Sequence, residues 1–141
     1  MDKLLCAAVA AFSLVLIGCG SSQTGPALGT VSGRITLDGQ PVANAMVEFT
    51  PVQEGRPASG RSDSSGYYSL QFTTSTKGAI VGEHTVKLST FQQGFDYGGA
   101  EGFENVASRA EEIPEKYAKE PLRVTVKQGS NTIDLTLESG K

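Results

Sequence analysis

Few side chains in this chain carry reactive chemistry, and their spacing decides what each can do. The two cysteines are Cys6, inside an apolar run from Leu4 to Ile17, and Cys19, which closes the stretch Leu16-Ile17-Gly18-Cys19. A thiol is the side chain soft enough to form a thioether, and a small Gly18 before it lets an extended backbone enter an enzyme cleft. Cys19 is therefore the candidate for covalent modification. His84 is the only histidine, and it has no Cys, Asp or second His at ligand spacing. Metal ligation and general-base work are not expected of it; a strand-edge imidazole is. Asp63-Ser64-Ser65-Gly66 lacks the repeated acids and terminal Glu of a calcium loop and is expected to be a turn. Ser64, Ser65 and Ser69 have no base nearby in sequence, so no nucleophile is expected among them. The reading is of no catalytic residue, no metal site and no cofactor.

The elements around Cys19 say what modification is expected. Lys3 and the amino terminus supply a short positive region, and the apolar run that follows is shorter than the ~20 residues a membrane-spanning helix needs. Residues 1–18 are thus expected to be a secretory signal, helical while it lasts. Leu16-Ile17-Gly18-Cys19 resembles the lipobox of bacterial lipoproteins. That resemblance implies a diacylglycerol on the Cys19 thiol and cleavage just before it, so that Cys19 becomes a lipidated first residue. Acyl chains contribute ~0.8 kcal/mol per buried methylene, and two or more hold a protein on a membrane stably. Gly20 stands where some lipoproteins carry an Asp that resembles an inner-membrane retention signal, which points to the outer membrane where a cell has one. Residues 19–29 are polar, rich in Gly and Ser and without periodicity, a flexible tether.

Composition narrows the partners. The chain has 141 residues and a formal net charge of −3, so nucleic acid and anionic headgroups, which attract basic patches, are not expected. With Cys6 in the signal and Cys19 lipidated, no disulfide forms within the mature chain, and apolar burial must hold it together.

From residue 30 to 139 the pattern has a period of two. Val31, Gly33, Ile35 and Leu37 share one parity, Asp38-Gly39 supplies a tight turn, and Ala45, Val47 and Phe49 face one way in the returning segment. An antiparallel hairpin of these two strands is expected. A surface loop over 53–60 and the turn at Asp63 to Gly66 lead to a strand with Tyr68, Leu70 and Phe72 inward. Val86 and Leu88 mark another strand over 83–91. Two closing strands alternate Leu122, Val124, Val126 and Ile133, Leu135, Leu137 about a turn at Gly129-Ser130-Asn131, with Arg123 or Lys127 set to pair Asp134 or Glu138 across them. About seven strands of this kind predict an all-β, antiparallel Greek-key β-sandwich.

The segment from Gln92 to Glu120 departs from the alternation. It holds Gly94, Gly98, Gly99 and Gly102, carries a short possible helix over 105–112, and ends in a single helical turn with Ile113 and Tyr117 on one side. Phe91, Phe95, Tyr97 and Phe103 make it a candidate binding loop, since aromatics on a Gly-rich loop can stack on a sugar ring or anchor a protein partner. Glu101, Glu104, Glu111 and Glu112 are expected to form a solvated acidic face.

Gly33-Arg34-Ile35-Thr36-Leu37-Asp38-Gly39-Gln40-Pro41 and Asp63-Ser64-Ser65-Gly66-Tyr67-Tyr68 resemble the carboxypeptidase regulatory-like, transthyretin-like domain. Ile113-Pro114-Glu115-Lys116-Tyr117, followed by Val124 to Asn131, is similar to small bacterial lipoproteins that carry that domain alone. These are turn and core residues, informative about fold rather than activity. What the resemblance implies is a non-enzymatic envelope module with a structural, adhesion or ligand-binding role, anchored through Cys19, with an envelope protein or glycan as partner. Two rivals accompany it. One is a carbohydrate-binding module using the 91–103 loop. The other is a hydrolase of the 5-hydroxyisourate type; such enzymes use histidines, an arginine and a C-terminal Tyr-Arg-Gly-Ser, whereas this chain has one histidine and ends Leu137-Glu138-Ser139-Gly140-Lys141.

Overall fold

The computed structural model describes residues 25–140 apart from Tyr97, Ala100 and Phe103. The expected signal, Cys19 and the first part of the tether lie outside the described residues. In chain order the elements are β1 (Leu28–Leu37), β2 (Gln40–Pro41), β3 (Met46–Pro51), β4 (Ala58–Arg61), β5 (Tyr67–Ser69), β6 (Ala79–Ile80), β7 (Gly82–Ser89), α1 (Lys116–Lys119), β8 (Leu122–Val126), β9 (Gly129–Thr132) and β10 (Leu135–Leu137). The chain is an all-β sandwich of two sheets, as the alternation predicts.

β1 is the axis of the first sheet and is paired along both edges. Ser32 lies between Ser69 of β5 and Thr132 of β9, and Leu37 lies between Gln40 of β2 and Leu137 of β10. β6, β5 and β2 run antiparallel to it, while β9 and β10 run parallel. The second sheet has the order β4-β3-β7-β8 and is antiparallel throughout. Between the sheets Ile35, Val47, Phe49, Tyr68, Leu70 and Leu137 are fully buried. Each such side chain contributes ~1.5–3 kcal/mol by leaving water, so the sandwich needs no covalent cross-link. Tyr68 also donates its hydroxyl to the Ile133 carbonyl at 2.5 Å. Burial, with a smaller effect of the Asp134 carboxylate, raises the phenol pKa, so this donor stays protonated. Gly33 is required here, because a Cβ would sit 2.0 Å from the same Ile133 oxygen.

Several expectations are corrected. Asp38 and Gly39 both have positive φ and close a tight hairpin, but its second strand is only β2. Asn44, at φ 57°, then redirects the chain, and β3 joins the other sheet between β4 and β7. Buried Ser62 secures that crossing: its hydroxyl accepts from Ala45 N–H at 2.8 Å and donates to the Val42 carbonyl at 2.7 Å. Residues 58–61, expected as loop and turn, form β4, and Phe72 lies beyond β5 and is only half-buried. Gly129-Ser130-Asn131, expected as a turn, lies within β9, which carries the chain to β1 instead of back along β8. Arg123 consequently pairs with Glu83 at 3.2 Å, and Asp134 accepts from Arg34 N–H at 2.9 Å, in place of the expected pairing between the closing strands. The helical turn is found at α1, with Ile113 buried and Tyr117 packed against the core.

Candidate functional site

The pairing registers define two poles. At the first, Leu28 meets Ile80, Gly29 meets Gly129 and Gly82 meets Val126. At the second, Leu37 meets Gln40, and Ser89 lies beside Met46, which lies beside Arg61. The ten residues of β1 run from one pole to the other, ~30 Å at ~3.3 Å per residue. The chain enters at the first pole, where the tether would attach. The candidate loop leaves from the second.

The segment following β7 is extended and doubled back, not helical over 105–112. Gln92 exchanges backbone hydrogen bonds with Arg109 at 2.9 Å in both directions, and Phe95 does the same with Val106. Gly94 lets these limbs close, since a Cβ there would lie 2.9 Å from the Ser108 nitrogen. The result is an antiparallel arm. Its tip bends at Asp96, whose Oδ1 accepts from Gly98 N–H at 2.9 Å.

The root of the arm is polar and centred on Glu111. Its Oε1 accepts from Thr90 N–H at 2.8 Å, Thr90 Oγ1 at 2.9 Å and Ile113 N–H at 3.0 Å, while Oε2 accepts from Ser89 Oγ at 2.5 Å. Partial burial by itself would raise this carboxyl, but the four donors outweigh it and pull the pKa down to about 2. Thr90 Oγ1 also accepts from Glu112 N–H at 2.6 Å. Arg109 completes the root, donating Nη1–H to the Ala43 carbonyl at 2.6 Å and pairing with Glu112 at 3.1 Å. Glu111 is therefore the support of the arm and not part of a merely solvated acidic face.

Of the expected loop aromatics, Phe91 is 66% exposed and Phe95 51% exposed. They are the two most exposed of the large apolar side chains described. Tyr97 and Phe103 lie outside the described residues, as does Cys19. Neither ring belongs to the buried core cluster, while the backbone beneath them is held by the Gln92–Arg109 and Phe95–Val106 bridges. That combination suits contact with a partner surface.

His84 is not the strand-edge imidazole expected. It points inward from β7, fully buried, with its ring centroid 5.9 Å from that of Phe49. The Ile80 carbonyl lies 2.6 Å from Nε2 and can only accept, so Nε2 carries the proton. Nδ1 is buried with no partner among the described residues. The cavity that His84 borders, of about 180 Å³, is lined by no Arg or Lys. Among the described residues no cluster of His, Cys, Asp or Glu could hold a metal ion, and no helix is long and apolar enough to cross a membrane.

Comparison with protein-family models and with curated proteins returns no match. The class defined by fold and site is a β-sandwich with a rooted, aromatic-bearing arm at the pole opposite its amino-terminal entry.

Proposed function

We propose that the protein is a non-catalytic, lipid-anchored module on the extracytoplasmic side of a bacterial membrane, which holds a binding arm away from the bilayer for an envelope protein or glycan. The observation that carries this reading is the separation of the poles: β1 begins at Leu28 at one, and the arm begins after β7, at Phe91, at the other. A lipid on Cys19 would hold the first pole within a few nanometres of the bilayer, the reach of ~10 extended residues. Phe91 and Phe95 would then face outward, poorly placed to enter the anchoring membrane and well placed to meet a partner. The resemblance to carboxypeptidase regulatory-like, transthyretin-like domains fits this role. The inward, carbonyl-bound His84 speaks against the hydrolase rival, which would need an accessible imidazole beside a cation.

The anchor and the arm are tested separately. Cys19→Ser should leave an uncleaved precursor or release the product from membranes; unchanged processing and detergent partitioning would remove the anchor. For the arm, the full chain is used as bait in envelope extract beside a Phe91→Ser, Phe95→Ser variant. A partner lost from the variant supports the arm as binding surface, and identical partner sets would reject it.

A further inference from the structure

A second surface lies on the flank of the sandwich, where β4 comes up against the segment after β5. Ser59 and Gln71 exchange backbone hydrogen bonds of 3.1 and 2.8 Å there, which closes the seam between the sheets. Gly60 has no side chain to stand in the way, and a Cβ on it would strike the Ser69 carbonyl at 2.4 Å. Over this firm floor runs an open groove of about 650 Å³, a volume in the range of small-molecule sites.

The charge in the groove runs against that of the protein. The chain carries a net −3, yet Arg56 and Arg61 both line the groove against one acid, Asp63. That acid is turned into its own loop: Oδ1 accepts from Ser65 N–H at 2.9 Å, Ser65 Oγ at 2.7 Å and Tyr67 N–H at 3.0 Å. Arg56 and Arg61 make no ion pair among the described residues. One Arg61 N–H is given to Asn44 Oδ1 at 3.0 Å, leaving most of its donors free. Tyr67 lines the same groove, 46% exposed, and Ser59, Gln71 and Thr73 line it further along, bringing hydroxyls and an amide to it.

We propose that this groove binds a carboxylate-bearing saccharide, a site distinct from the arm. Planar guanidinium groups match a carboxylate in a two-point geometry, and an exposed ring offers a flat apolar face to the C–H side of a pyranose. The amide and hydroxyls supply the donors and acceptors that sugar hydroxyls require. A bare anion would have no use for the aromatic face, and a neutral sugar would leave the arginines unmatched.

The test uses the full chain in detergent micelles, titrated calorimetrically with a galacturonic acid tetramer, with maltotetraose and with a linear polyphosphate of the same charge. Saturable binding of the acidic tetramer is expected, with weaker or no binding of the other two. Arg56→Gln combined with Arg61→Gln should weaken it at least tenfold, as should Tyr67→Ala. These side chains are exposed, and circular dichroism checks that the variants keep their fold. The Phe91→Ser, Phe95→Ser variant should bind unchanged. The proposal is overturned if the tetramer gives no saturable signal, if maltotetraose or polyphosphate binds as tightly, or if the arginine pair can be replaced without effect. Loss of binding in the arm variant would assign the sugar to the arm and equally overturn it.

Discussion

The sandwich and its arm are held by different physics. Between the sheets, Phe49, Tyr68, Ile35 and Val47 are buried from both sides, and most of the stabilising free energy comes from apolar area removed from water. None of the described residues of the arm from 91 to 110 is buried. The arm depends on two backbone bridges and on one exposed carboxylate that gathers four donors at its root. The contrast implies two levels of stability in one chain, since elements with few buried contacts open at lower free energy than the core beneath them. An arm of this kind can adapt to a partner while the sandwich that carries it stays folded.

The largest effect expected is in the core. Phe49→Ala removes a ring lying 6.3 Å from Tyr68 and 5.9 Å from His84, centroid to centroid, and should cost ~3–5 kcal/mol in urea unfolding. A loss under ~1 kcal/mol would mean that this ring is not where the sheets are joined. The arm should respond next, and locally. Glu111→Gln keeps the shape but sets an amide N–H₂ against donors; allowing for solvent screening, ~1–2 kcal/mol of arm stability should go. Hydrogen exchange should quicken at the Phe95 and Arg109 amides and stay slow at Val47 and Val86. Equal acceleration everywhere would erase the distinction between the two regions.

Acid offers the same test without a substitution. Because the Glu111 pKa is depressed in the folded protein, its contribution is complete above the ordinary carboxyl value of 4.5 and is lost as pH falls towards about 2. Arm amides should therefore lose protection across that window ahead of core amides, and in Glu111→Gln, whose arm is already weakened, this acid-dependent loss should be absent. Simultaneous loss of protection in arm and core would show that the arm has no separate stability.

The comparison also explains what can be seen in the linear chain. Strands with one buried face write a period of two, so the alternation at Val31 to Ile35, Ala45 to Phe49 and Leu122 to Val126 is legible, as is the Asp38-Gly39 turn. Which sheet a strand joins is not written in its own residues. It was decided for β3 by a positive φ at Asn44 and a buried hydroxyl seventeen residues away from the Ala45 it binds, at Ser62. β2, β6 and β9 are too short to show a period, and the Gly129-Ser130-Asn131 signal for a turn is overridden by pairing with β1. The aromatics of the arm stand out by composition, but Glu111 does not, because a carboxylate in a charged run looks solvated until its donors are brought to it through the fold. The flank groove has the same origin: Arg56 and Arg61 lie before and at the end of β4 and Tyr67 on β5, and it is the Ser59–Gln71 seam that brings the two segments along one groove.

The smallest effect on folding should come from the residues proposed to matter most for binding. Phe91 and Phe95 are exposed and absent from the buried core cluster, so replacing both by Ser removes little area that folding had taken from water. Surface changes of this kind stay within ~0.5 kcal/mol, and urea midpoints of the double variant and wild type should coincide. Their removal should also lower the retention of the free chain on a hydrophobic-interaction column, since an exposed aromatic pair costs solubility that folding alone gives no reason to pay. If the double variant instead lost ~2 kcal/mol or more, the two rings would be covering an open end of the sandwich. The arm would then belong to the core's physics, and its outward role would fall with the contrast on which it rests.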